Sequence, residues 1–367
     1  MKILLALFLA VVASVGFSQN IWIADNRPTA PTGAHVFADV TSAIGAASGG
    51  DIIHLIPSQT AYTDFTITKD SLTFFGIGFD PEKDQPNKVW VNIITIASNI
   101  FGIRISGVNV WDELRISDQT GADTNGNIFI ETGDIDRIII QDNCCTGGGS
   151  VSNLVIRNCV IGGRETSNFS VIDFVGTYYT ATSVVITNNI ILGSSSTGTH
   201  GSVRSNDAII KNNLFLGNGS SNDHAFGVVG VSTVSNNVFY GRDLTPATAN
   251  GISNTTFNNN ISFGGANNLF PVGVNGNSGD TIGYTNVDPL FIDVPLVDDW
   301  SFDLDPTPDS GSPLLGAGND GNDIGVTGGT IPFSVSGTPL PIIKVLRAPE
   351  VIKQGTNLNA TIEAVGN

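Results

Sequence analysis

The sequence predicts an all-β chain wound as a single right-handed parallel β-helix, with an N-terminal cap helix and a short C-terminal β extension. Composition is the first observation behind this. Charged residues make up 13% of the chain and Gly supplies 43 residues, and with abundant Asn, Thr, Ser, Val and Ile this mixture favours strands joined by tight turns over helices. The second observation is a repeated segment. Leu154-Val-Ile-Arg-Asn-Cys-Val-Ile returns as Val184-Val-Ile-Thr-Asn-Asn-Ile-Ile and Ala208-Ile-Ile-Lys-Asn-Asn-Leu-Phe. Ser232-Thr-Val-Ser-Asn-Asn-Val-Phe and Thr255-Thr-Phe-Asn-Asn-Asn-Ile-Ser follow. The first Asn of each copy, Asn158, Asn188, Asn212, Asn236 and Asn259, steps by 30, 24, 24 and 23 residues. Periods in the twenties belong to stacked solenoids.

The third observation is alternation within each copy. Ile156, Ile186, Ile210, Val234 and Phe257 form one apolar column, and Arg157, Thr187, Lys211, Ser235 and Asn258 form a polar column beside it. Period two is the signature of a strand with one face inward. The Asn column is then expected to turn inward at a bend, as a ladder of amides bonding along the solenoid axis. The Leu spacing of a leucine-rich repeat is missing. Between residues 90 and 150 the period blurs, and Val89–Ile96, Phe101–Val110, Leu114–Ser117, Ile128–Glu131 and Ile138–Gln141 read as strands without a fixed coil register.

The ends are read separately. Lys2, the apolar run Ile3 to Val15 and the small residues of Gly16-Phe17-Ser18 form a secretory signal at 1–18, with cleavage before Gln19. Residues 19–329 form the helix with its cap. After Gly329, Pro332, Pro339 and Pro341 mark a linker, and 330–367 ends in two short strands. No later segment approaches twenty apolar residues, so no membrane insertion is expected. A net charge of −17 disfavours nucleic acid as a partner. Cys144, Cys145 and Cys159 fit no zinc spacing, and one disulfide is open to Cys159 with either member of the adjacent pair.

With these features the chain resembles the pectin-lyase-like right-handed β-helix superfamily, over nearly all of residues 19–329. Asp39-Val-Thr-Ser-Ala-Ile-Gly-Ala-Ala resembles the family's capping helix, Gly49-Gly-Asp-Ile-Ile-His-Leu its first strand, and Leu72-Thr-Phe-Phe-Gly-Ile-Gly the next rung. Asp288-Pro-Leu-Phe, Ser312-Pro-Leu-Leu-Gly-Ala-Gly and Asp323-Ile-Gly-Val resemble a C-terminal segment of secreted bacterial members. Its Asp residues read as turn chemistry closing the last coil, with Ca²⁺ as the alternative. The resemblance implies a secreted or cell-surface protein that binds or processes extracellular polysaccharide, as a lyase or hydrolase if catalytic. The alternative is a non-catalytic structural or adhesive role. Family motifs are incomplete: Asn109-Val-Trp-Asp-Glu lacks the His of the pectate-lyase segment, and Thr199-His200-Gly201 lacks the preceding Asp pair of polygalacturonases. Fold does not decide among these activities.

The residues offer one constellation of their own. His200 lies 12 residues past Asn188 and His224 lies 12 past Asn212, so the two are expected in one column of adjacent coils about 4.8 Å apart. Asp223 precedes the second His, while Arg204 and Asp207 follow the first. Such a cluster suits metal binding or general acid/base work. Arg157 and Lys211, flanked by Tyr178, Tyr179 and Tyr240, form an expected substrate-binding surface.

Overall fold

The computed structural model describes residues 19–79, 88–116, 124–140, 149–163, 169–176, 179–193, 201–219, 224–244, 251–280, 284–296, 299–334, 342–347 and 361–365. Coil after coil, the chain winds parallel strands into a right-handed β-helix. Among the described residues the two large sheets hold 12 and 13 strands. Strand Asp134–Ile140 shows how the second sheet turns. Its first residues pair with Val160–Ile161 and its last with Ile172–Asp173. Beyond it the second sheet therefore splits into two arms, and the cross-section becomes three-sided. Among the described residues no helix is long and apolar enough to cross a membrane.

The cap forms as expected. Helix Val40–Ala46 is N-capped by Asp39, whose carboxylate accepts from the Ser42 amide, and it buries Val40, Ala43 and Ile44. An apolar stripe of this kind covers a core that a solenoid otherwise leaves open. The chain also adds strands that the sequence reading omitted. Ile21–Ala24 pairs with Ile52–Leu55 on one side and Val36–Phe37 on the other. The alternation holds throughout. Ile156, Ile186, Ile210, Val234 and Phe257 are all fully buried, and Arg157, Thr187 and Lys211 share one outward register.

The Asn assignment shifts by one position. Asn158, Asn188, Asn212, Asn236 and Asn259 adopt φ between 51° and 56°, the left-handed conformation that Asn tolerates at a tight corner. The inward ladder is the next column. Asn189, Asn213, Asn237 and Asn260 are each 0% exposed. Asn213 Oδ1 accepts from both the backbone amide and Nδ2 of Asn189, each at 3.0 Å. Asn237 serves Asn213 in the same way, and Asn260 serves Asn237. Cys159 begins this column and donates its amide to Asn189 Oδ1. It is a buried free thiol, pushed up to about 12 by burial. This inward position removes it from the expected disulfide; Cys144 and Cys145 lie outside the described residues.

The corner Asn side chains turn outward, to the returning chain. Asn259 donates to Ala317 O, Asn236 to Asn319 Oδ1, Asn212 to the Asp323 and Gly325 carbonyls, Asn188 to those of Val326 and Gly328, and Asn158 to Pro332 O. Residues 312–334 thus run back along the helix as a strap instead of closing the last coil. Local Asx bonds shape it, as when Asp323 Oδ1 accepts from the Gly316 amide.

The strap creates a second core. Ile190, Leu192, Leu214, Leu216, Val238 and Ile261 point away from the helix interior and pack with Val294, Trp300, Leu314, Ile324, Val326 and Phe333. Inside the helix, Phe215 stacks on Phe239 at 4.8 Å with Phe226 edge-on to both. Apolar triplets such as Leu214-Phe-Leu are therefore buried on both faces. Ile342–Arg347 and Thr361–Val365 pair as an antiparallel hairpin.

Candidate functional site

From strand Phe65–Ile67 to strand Val203–Asn206, among the described residues, the outer face of the second sheet is not covered by the strap's apolar core. Strand Asn109–Ile116 carries one extra residue against both neighbours. Val91 pairs with Val110 but Ile93 with Glu113, and the same slip occurs against Ile135 and Arg137. A bulge of this type re-aims a side chain. Here Trp111 is left 42% exposed and stacked on Trp90 with ring centres 4.2 Å apart.

Past the bulge two charged rows run along the axis. Glu113 accepts from Arg115 Nε at 2.6 Å and Arg137 Nη1 at 2.5 Å. The Arg137 guanidinium lies 4.7 Å from the Phe169 ring centre, a cation–π distance. In the neighbouring row Thr66, Thr95, Arg115, Ile139, Asp173 and Arg204 follow one another in register, and Arg204 pairs with Asp173 at 2.7 Å. At about 4.8 Å per coil that row is about 24 Å long. Its upstream end opens into a cleft of about 530 Å³ lined by Thr41, Ile44, Asp64, Thr66, Thr95 and Arg115. Asp64 is fixed by accepting the Ile93 amide at 2.9 Å. Flat aromatic faces take the C–H face of a sugar, while guanidinium groups and carboxylates address its polar substituents.

The first sheet carries a smaller ionic group. Glu131 accepts from Arg104 Nε at 2.7 Å and from Arg157 Nε and Nη2 at 2.9 and 2.6 Å. Burial alone raises its pKa, but the hydrogen bonds from Arg157 and Arg104 outweigh burial and hold the carboxyl below its ordinary range. Arg157 is thereby engaged with Glu131, and Lys211 stays exposed two coils away. Tyr240 belongs to the second sheet, packed against Phe263 and Phe291, so it shares no surface with Arg157 and Lys211. Tyr178 lies outside the described residues. Tyr179 begins strand Tyr179–Thr187.

Of the expected histidine column, only His224, Arg204 and Asp207 fall among the described residues. His200 and Asp223 lie outside the described residues. Val203 pairs with Phe226, a step of 23 that sets His224 in register with Gly201. Arg204 faces outward with Asp173, and Asp207 sits at a left-handed corner with φ 51°, its carboxylate accepting the Ser183 amide.

His224 is instead 8% exposed and bridges to Asp243 in the backbone ladder. Burial lowers its pKa, opposed by Asp243 and aided by Arg242. Burial also raises that of Asp243. Arg242, fully buried, donates twice to Leu216 O and to Ser202 Oγ at 2.7 Å, which ties the loop-bearing corner together. For the expected Ca²⁺, no group of three or more His, Cys, Asp or Glu side chains is placed to hold a metal among the described residues.

Sequence reading missed the Trp90–Trp111 pair and the Glu113 cluster. The extra residue breaks the alternation there, and partners 24 residues apart carry no local signature.

No protein-family model matches the chain. No curated protein matches it. Among solved structures it is similar to a mutant of the PL6-family alginate lyase AlyGC, with 10% identity, a TM-score of 0.19, and coverage of 78% of this chain and 57% of that one. The chain thus spans little more than half of that structure's length, and the assignment of the fold rests on the strand pairing described above.

Proposed function

We propose that the protein binds an extracellular polysaccharide along the outer face of the second sheet, from the cleft at Thr41 and Arg115 to Arg204. The observation that carries this reading is the placement of a Trp pair, with Trp111 exposed, and of three arginines with their carboxylates in two adjacent rows on one face. Residues 1–18 are proposed to export the chain, and N-terminal sequencing of the secreted protein that begins at Gln19 supports that step. Affinity electrophoresis against a panel of uronans and neutral glycans tests the site. W111A is expected to weaken binding about tenfold, in line with about 1.4 kcal/mol for a lost aromatic contact. Equal retardation of W111A, R137A and wild type in every glycan refutes this face.

A second reading, adhesion without turnover, is favoured by one feature of the same face. Arg115, Arg137 and Arg204 are each held by a carboxylate, as in a rigid recognition surface. Assays for unsaturated products and for new reducing ends separate the two, since binding without either product identifies the non-catalytic role.

A further inference from the structure

The outer face of the first sheet carries an apolar column that neither core uses. Phe129, Val155, Val185 and Ile209 follow one another in register over four coils, about 14 Å along the axis. Phe129 is 41% exposed and Ile209 46%, and Val155 and Val185 are half-buried between them. None of the four joins either hydrophobic cluster. Parallel sheets ordinarily have both faces covered, so a bare apolar row on one marks a docking surface. The charge around it is basic. From Arg104 to Lys211 the two outward columns hold Arg104, Arg157 and Lys211 against Glu131 alone, in a chain of net charge −17. Arg104 and Arg157 share Glu131, and Lys211 lies near Asp320 of its own strap.

The returning chain has the opposite character. Residues 284–334 hold nine Asp and no Lys or Arg. In strand Phe291–Asp293, Phe291 packs against Tyr240, which turns Ile292 to the other side, 58% exposed, beside Leu290 at 43%. Leu290 holds φ 51°, a strained conformation that no burial offsets. Its amide donates to the Asp288 carboxylate and its carbonyl accepts from the Asp309 amide, so with Asp293 these acids flank the apolar pair. We propose that this acidic surface at Leu290 and Ile292 docks on the basic, apolar face of the first sheet in a second copy of the chain. Two first-sheet faces, or two returning chains, would meet with like charge, so the contact joins unlike surfaces. Such a heterologous contact leaves one surface of each kind free and continues into chains unless a ring closes. It is separate from the polysaccharide face and independent of that reading.

The experiment is sedimentation velocity of the purified protein over a concentration series. Wild type is expected to gain mass with concentration at about 0.05 M salt and to associate at least about fivefold more weakly at about 0.5 M. F129S/I209S strips the apolar column, and L290G/I292S strips the acidic surface while Gly relieves the strain at position 290. Each is expected to stay monomeric without a lower melting temperature, because all four side chains are exposed. Their equimolar mixture is expected to form a dimer that grows no further, since it holds one intact surface of each kind. K211E, a charge reversal on the solvent side, weakens association by itself and guards against a folding defect in the serine variants. W111A associates as wild type does. The proposal is overturned if wild type is monomeric throughout, if salt leaves its association unchanged, if either double variant associates like wild type, or if the mixture fails to dimerise. A monomeric wild type whose glycan retardation is lost in F129S/I209S would likewise overturn it, giving the first-sheet face to a carbohydrate instead.

Discussion

Val231 occupies a position in the second corner column, where the other coils place Ser71, Gly102, Asn127, Asn153, Ser183, Asp207, Asn254 and Gly276, all at positive φ. It holds φ 52° with a β-branched side chain that is 67% exposed, so burial gives little in return for the strain. Left-handed geometry costs an L-residue about 1–2 kcal/mol, less for Asn. V231N is therefore expected to stabilise the protein by about 1 kcal/mol, read as a higher denaturation midpoint at unchanged slope.

Glu131 gives the complementary case, a charge whose environment favours ionisation. Its folded pKa lies below the unfolded one, so its contribution is present above the unfolded pKa of about 4.3. That contribution is lost as pH falls through the folded value. E131Q is expected to melt lower than wild type at pH 7, with the gap closing below about pH 4. A gap that does not narrow at any pH below the unfolded pKa would mean the glutamate acts by shape alone.

At the scale of elements, two adjacent Asn columns do different work, and variants separate them. Asn237 donates to Ile210 O, Ser235 O and Asn260 Oδ1 while accepting from Asn213. N237A strands several fully buried partners, at about 1–3 kcal/mol for each group left unsatisfied. N236G keeps a residue at ease at φ 56° and loses only the bonds to Asn319. It is expected to cost less in global melting, while amide exchange across 317–325 quickens. The repeat in residues 154–263 was legible because each copy spells the same corner. Residues 90–150 blurred because their corners are written Ser106-Gly-Val-Asn and Glu131-Thr-Gly-Asp instead, although Phe129 still pairs 25 residues after Arg104. Which Asn pointed inward was not legible, since consecutive amides are alike in sequence and only backbone φ distinguishes them. The register of His224 was not legible for a related reason: the step of 24 counted between Asn188 and Asn212 becomes 23 between Val203 and Phe226. Apolar triplets such as Ile190-Ile-Leu carry a signal of a covered outer face that the sequence reading did not use, because a strand with one wet face alternates.

Across the whole molecule charge is divided. Arg104, Arg115, Arg137, Arg157 and Arg204 fall in the middle coils, whereas residues 284–334 contain no Lys or Arg. An anionic glycan on the proposed face should then bind more weakly as salt rises, since exposed pairs are screened over about 8–10 Å near physiological ionic strength.

The strap bears on how such a molecule comes apart. In a bare solenoid each coil senses only its neighbours, and melting can spread from either end. A segment bonded to corners from Asn158 to Asn259 lets the loss of one coil be felt several coils away. Residues 154–263 should thus open as one cooperative unit in native-state hydrogen exchange, while the coils near Ile52–Leu55 and Thr73–Phe75 exchange by smaller, separate openings. The strap on the outside of this helix supplies long-range coupling to an architecture whose coils otherwise touch only their neighbours.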